Sequence, residues 1–298
     1  MSNPPVIPGL VLCLFYTVLI TGADAITKAF GQAYAAPQLF ALSGLLVAGF
    51  SLVMGRIGAG GTQGLRTHCP RAMALRSGAT VFGSLAFYHA FTLLPFAEVF
   101  IFVALIPILS ALLSGPVLGE AVRGPAWGAL GLGALGVMCL FPGGFTMIGA
   151  GHLIALMAVL LGTVSLVTAR YIGRRDNNLL AQVFYPNLAL GLVMCAALPF
   201  VYVPMTAQDV AWAVGYAVLL FTARWVLVAA LQVLPAYVVT PLMNMQFVWM
   251  VMIGALVFGE APGPGVYLGA LIVIAAGLWV LREQARPVIK PTPALPAE

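Results

Sequence analysis

Charge is what this chain lacks most. Charged residues make up 7% of its 298 residues, against roughly 25% in a soluble domain. That shortage excludes a water-facing shell around a globular core. Histidine and cysteine are also few. His68, His89 and His152 lie far apart, and Cys13, Cys69, Cys139 and Cys195 include no pair with metal-ligand spacing, so neither a metal centre nor a disulfide framework is expected. His-Glu-x-x-His, Gly-x-Ser-x-Gly and a phosphate-binding loop are all missing. Asp24 is the one aspartate deep in an apolar segment, one carboxylate short of an intramembrane aspartyl protease. Strands of about ten residues with alternating polarity, the mark of a membrane barrel, are missing too. The short intervals between hydrophobic runs leave no room for a soluble domain.

What is present is hydrophobic sequence, 62% of the chain, with a mean hydropathy of +1.07. Runs of about 20 apolar residues, each long enough to cross a bilayer as a helix, recur from end to end. Ten spans are expected, near 8–30, 37–55, 73–94, 96–115, 124–141, 149–170, 179–201, 209–232, 236–258 and 264–282. The first is read as a retained helix and not a cleaved signal peptide. The Pro-rich tail 283–298 is read as a disordered cytoplasmic tail.

The chain also repeats itself. Leu94-Pro95 precedes Gly119-Glu120 as Leu234-Pro235 precedes Gly259-Glu260, at a constant offset of 140 residues. Gly128-Ala129-Leu130 with Gly136 recurs as Gly269-Ala270-Leu271 with Gly277, one residue out of step. Residues 8–142 and 149–282 thus read as two five-helix repeats. Five is odd, so the second copy enters the membrane from the opposite side. The expected fold is an all-α integral membrane protein: ten transmembrane helices as two inverted repeats around a central cavity. Such a duplication implies alternating access. The two Leu-Pro corners at Pro95 and Pro235 are expected to break helices and to act as hinges or gates.

Polar residues inside spans are costly and therefore informative. Thr17, Thr21, Asp24 and Lys28 share one helical face, as do Ser84, Tyr88 and Thr92 in span three, and Tyr237, Thr240, Pro241 and Asn244 in span nine. Arg224 in span eight sits at the repeat position of Ser84. For each there is a plainer reading: hydroxyls bonding back to their own helix, Asp24 and Lys28 neutralising each other, Glu98 solvated at the outer rim, and Arg224 snorkelling to the surface. Glu120 and Glu260, after glycines at helix ends, read as structural.

The ten spans, the two repeats and the Gly-Glu after the fourth span of each resemble the EamA family of the drug/metabolite transporter superfamily, over roughly residues 8–282. Within it the chain is most similar to the YddG-type amino-acid exporters. The resemblance implies a multi-pass carrier in a bacterial inner membrane, with a cavity lined by spans one, three, four, six, eight and nine. It is not expected to be an enzyme or to need a cofactor, metal, nucleic acid or obligate protein partner; its partners are a small-molecule substrate and the bilayer. The residue chemistry is compatible with an amino acid, chiefly an aromatic or apolar one. Arg224 is placed to take the carboxylate by a two-pronged contact. Asp24, Glu98, or the faces of Tyr88 and Trp225 are placed to take the ammonium. Phe102, Tyr185, Trp225 and Tyr237 offer surface for an apolar side chain, and Met243, Met245, Met250 and Met252 an adaptable wall. Ser84 and Asn244 complete the candidate binding set, and Asp24, Glu98 and His89 are candidate proton carriers. Another metabolite or drug, a facilitative channel for small polar solutes and a lipid-modifying membrane enzyme stay open as alternatives.

Topology is testable at once. With the N-terminus inside, Arg56, Arg66, Arg71, Arg76, Arg123, Arg170, Arg174, Arg175, Arg282, Arg286 and Lys290 fall on cytoplasmic ends, 11 of the 13 basic residues. Reporter fusions at the C-terminus and near Thr146 should therefore report opposite sides, the C-terminus cytoplasmic. The same side for both would mean the span count is wrong.

Overall fold

Backbone groups buried in an apolar environment must bond to one another, and in the computed structural model the apolar runs do so as helices. The structure describes residues 6–56, 64–94, 99, 102–103, 105–119, 124–138, 149–176, 178–259, 267–268, 271–272, 275–276 and 279. Among them there are helices and turns but no strand. The helices are α1 (Val6–Phe30), α2 (Ala36–Arg56), α3 (Pro70–Leu93), α4 (Ile106–Leu118), α5 (Gly124–Met138), α6 (Ala150–Gly173), α7 (Leu179–Ala197, with a 3-10 turn at Leu198–Phe200), α8 (Ala207–Val233), α9 (Ala236–Met243) and α10 (Gln246–Val257). Among the described residues, five stretches are long and apolar enough to cross a bilayer: Pro8–Phe30, Ala36–Arg56, Ala150–Gly173, Leu179–Phe200 and Ala207–Val233. Most of the expected tenth span and the whole C-terminal tail lie outside the described residues.

Local chemistry sets the helix ends. Asn178 starts α7 by accepting from the Ala181 N–H at 3.0 Å. Thr206 and Asp209 form a reciprocal cap on α8, with bonds of 3.2 and 3.1 Å to the backbone N–H groups. Two basic residues of α6 and its end also cap helices: Arg170 donates to the carbonyls of Leu231 and Gln232, and Arg174 to that of Leu118. The repeated sequence positions share backbone geometry. Leu94 and Leu234 both leave their helices extended, each N–H returning to an alanine carbonyl. Gly119 and Gly259 both take the left-handed conformation, φ 64°, which suits glycine.

The expected continuous span 236–258 is broken. Its two pieces meet at Asn244–Met245, where the chain tightens through Met245 N–H to Leu242 O and Phe247 N–H to Asn244 O. Pro241 withholds a backbone donor just upstream. The equivalent point of the first half, at Leu105, is a turn ahead of α4, whose Pro107 lies in the first turn, where a missing N–H costs nothing.

Packing follows the same pairing. α3 lies along α6 as α8 lies along α1, and α3 meets α7 as α8 meets α2. α4 rests on α6, as α9 and α10 rest on α1, while α2 crosses α7. Large apolar side chains face outward, among them Phe82, Leu153 and Trp212. Ser43, Thr163, Gln182 and Asn187 are wholly buried. Polar inside and apolar outside is the arrangement a lipid environment requires.

At the α2–α7 crossing the two backbones approach closely. A Cβ on Gly44 would stand 2.7 Å from the Gly191 nitrogen, and one on Gly191 2.9 Å from the Leu45 nitrogen, backbone that has nowhere to move. Gly44→Val and Gly191→Val should each cut the yield of monodisperse, detergent-extracted protein several-fold, the overpacking costing about 1–3 kcal/mol. Gly49→Ala on the same helix meets nothing within 4 Å and should leave the yield unchanged or higher. Equal behaviour of the three by size-exclusion chromatography would show that the crossing is not close in the membrane.

Candidate functional site

The paired helices leave a cavity of about 230 Å³ between them. From α1 it receives Tyr16, Ile20, Asp24 and Thr27, spaced by fours and threes and so on one helical face. From α3 come Arg76, Thr80, Ser84, Phe87, Tyr88 and Phe91; from α6, Gly162, Ser165, Leu166 and Ala169; from α8, Tyr216, Leu220, Arg224, Leu227 and Leu231. Val103 and Ile106 line it from the fourth expected span, Met243 and Gln246 from either side of the break in the ninth, and Phe40 from α2.

The lining repeats. Arg76 and Tyr216, Thr80 and Leu220, Ser84 and Arg224, Phe87 and Leu227, Phe91 and Leu231, Val103 and Met243, Ile106 and Gln246 are seven pairs, each separated by 140 residues, and every member faces the cavity. The two halves thus offer the same positions to one space, with different chemistry at each.

Three lining residues carry formal charge. Asp24 accepts a hydrogen bond from Gln246 Nε2 at 2.7 Å, which the break at Asn244–Met245 makes possible by turning the start of α10 toward α1. Trp249 Nε1 donates to Thr17 Oγ1 at 3.1 Å and holds the same two helices together. Arg76, only 6% exposed, donates through Nη1 to Gln182 Oε1, while its Nε has no acceptor. Arg224 makes no hydrogen bond or ion pair among the described residues. Thr80 and Ser165 share a hydrogen bond of 2.9 Å across the α3–α6 seam. Tyr16 and Tyr216, both buried, lie within electrostatic reach of both Asp24 and Arg224.

Near the α1–α2 turn, hydrogen bonds run outward from the cavity-lining Tyr88. Tyr88 donates from its hydroxyl to the Tyr34 carbonyl, and the Tyr34 hydroxyl donates to Asp209 Oδ2 at 2.7 Å. That bond to a carboxylate holds the Tyr34 phenol above its usual pKa, so it stays a donor. Next to it Gln38 donates to the Val203 carbonyl at 2.7 Å and accepts from the Val203 N–H at 3.1 Å.

The cavity gathers five of the sequence candidates: Asp24, Ser84, Tyr88, Arg224 and Met243. Others lie elsewhere. Trp225 packs on Phe221 at 5.7 Å, and Tyr185 on Phe184 at 5.2 Å. Phe102 lies 6.1 Å from His152, ring to ring, and His89 is exposed beside Tyr88. Asn244 occupies the turn between α9 and α10, and Pro235 the corner between α8 and α9. Glu98, Pro95 and the Tyr237 side chain lie outside the described residues. Thr17 and Thr21 do not line the cavity; they bond back to Leu14 O at 2.7 Å and Thr17 O at 2.6 Å. Lys28 places its ammonium 5.0 Å from the Phe258 ring centroid. Sequence reasoning passed over Tyr16, Arg76, Tyr216 and Gln246 as cavity residues, although the repeat offset joins Arg76 to Tyr216.

No family model matches the chain. It is 27% identical over 237 residues to a protein of Rhizobium johnstonii named riboflavin transporter, covering 78% of this chain and 76% of that one. A solved crystal structure superimposes with a TM-score of 0.76 at 16% identity, covering 96% of this chain and 100% of the other. That likeness is one of fold.

Arg224 gives a direct test of the site. Lysine cannot reproduce a two-pronged donor, so Arg224→Lys should lower transport at least tenfold, nearly as much as Arg224→Ala, at equal amounts of membrane protein. Full transport by Arg224→Lys would leave Arg224 a residue that merely reaches for the surface.

Proposed function

We propose that the chain is a membrane carrier for a small metabolite, with ten spans in two inverted five-helix repeats and both termini in the cytoplasm of a bacterial cell. The observation that carries this reading is the doubled lining: seven pairs of positions, 140 residues apart, facing one cavity. In an inverted repeat, exchanging the conformations of the two halves turns a cavity open to one side into one open to the other. The ties at Tyr34, Gln38 and Asp209 belong on this reading to the closed gate, and the corners at Pro95 and Pro235 to the hinges. The Rhizobium johnstonii relative named riboflavin transporter supports small-metabolite transport.

Two cargo readings follow. Arg224 and Asp24 on one cavity favour a zwitterion, hence export of an amino acid with an aromatic or apolar side chain. The same relative, with Phe40, Phe87 and Phe91 in the lining, favours a flat ring system such as riboflavin.

Purified protein in liposomes decides between a carrier and a pore. Preloaded unlabelled tryptophan or riboflavin should accelerate uptake of its labelled form, and uptake should saturate. Flux that rises linearly with concentration and shows no acceleration would make the protein a channel.

A further inference from the structure

Resting on the carrier reading but departing from both cargo readings above, the charge balance of the cavity points to a different class of cargo. Two guanidinium groups face it, Arg76 and Arg224, and they repel each other. Asp24 is the one carboxylate among the described lining residues, and it is already engaged by Gln246. Neither arginine has an ion-pair partner among the described residues. Arg76 is held in place by Gln182, yet its buried Nε still lacks an acceptor.

A guanidinium does not lose its proton at any ordinary pH. Among the described lining residues, ionised Asp24 therefore leaves one positive charge in excess, and neutral Asp24 leaves two. Burying unbalanced charge within a membrane is costly. A neutral ring or a zwitterion leaves that imbalance as it was. One negative charge cancels the excess when Asp24 is ionised and halves it when Asp24 is neutral, and two guanidiniums provide donors in the planar geometry that carboxylate and phosphate oxygens accept. Phe40, Phe87 and Phe91 supply apolar ring faces in the same space.

We propose that the carrier takes its cargo as an organic anion, an aromatic body bearing one oxyanion group held between Arg76 and Arg224. The two arginines stand at non-equivalent repeat positions, opposite Tyr216 and Ser84 respectively. Each half therefore contributes one cation at its own depth, and the oxyanion engages both halves at once.

The test uses probes alike in shape and different in charge. Full-length protein in liposomes and in detergent is challenged with indole-3-acetate, tryptophan and tryptamine, and with riboflavin against riboflavin 5′-phosphate. Thermal stabilisation reads binding and counterflow reads transport. The expected result is that indole-3-acetate or riboflavin 5′-phosphate binds and exchanges at concentrations at least tenfold below its zwitterionic or neutral counterpart, with tryptamine inert. Preference for the first would assign a carboxylate, for the second a phosphate. Arg76→Gln and Arg224→Gln should each shrink the anion-to-zwitterion ratio at least tenfold, a ratio independent of how much protein folds. Tryptophan or riboflavin acting as well as its anionic partner would overturn the proposal while leaving the carrier intact. Anion binding without any counterflow would support the anion site and sink the carrier. No binding by any probe would overturn the proposed class.

Discussion

Arg76 and Arg224 cannot shed their protons, and a lipid-facing position would leave each of them stranded in hydrocarbon. That single constraint orders the bundle. Both residues must point inward, so α3 and α8 must each present a face to the interior and be backed there by another helix. α6 serves α3 and α1 serves α8. The space enclosed by these four helices is the cavity, and the outer surface is free to be apolar, as Phe82, Leu153 and Trp212 show.

Holding that space open while the helices stay packed needs two further features. At the α2–α7 crossing, glycines let two backbones touch, bringing the halves together on one side so that they can stand apart at the cavity. The turn at Asn244–Met245 interrupts the ninth expected span inside the bundle and delivers Gln246 to Asp24. A continuous helix there would carry Gln246 on another face and leave the carboxylate without that donor. Non-helical backbone of this kind is tolerated where it borders a protein-lined space.

Much of the frame was legible in the sequence. The apolar runs announced helices, and the Leu-Pro and Gly-Glu pairs announced matched helix ends: Leu94 and Leu234 extended, Gly119 and Gly259 left-handed. Asp24, Ser84, Tyr88 and Arg224 stood out because polar groups inside spans are expensive. The rest was hidden by a reliance on polarity. On α1 the cavity face is Tyr16, Ile20, Asp24 and Thr27, whereas counting hydroxyls and charges selects Thr17, Thr21, Asp24 and Lys28, which shares only Asp24. On α8 Arg224 is aligned with Leu220, Leu227 and Leu231. Arg76 was absorbed into a count of cytoplasmic charge, and Gln246 lost its phase because the break before it leaves little trace in composition.

The bond pair between Gln38 and Val203 addresses the main chain on the Val203 side: the amide of Gln38 meets a carbonyl and an N–H that every residue except proline provides. The side chain at 203 is accordingly free to drift over evolutionary time, while position 38 needs an amide of that reach. Among relatives that share this bond pair, the glutamine would persist with no covarying partner. A contact inferred from paired substitutions would miss the tie between α2 and the segment before α8.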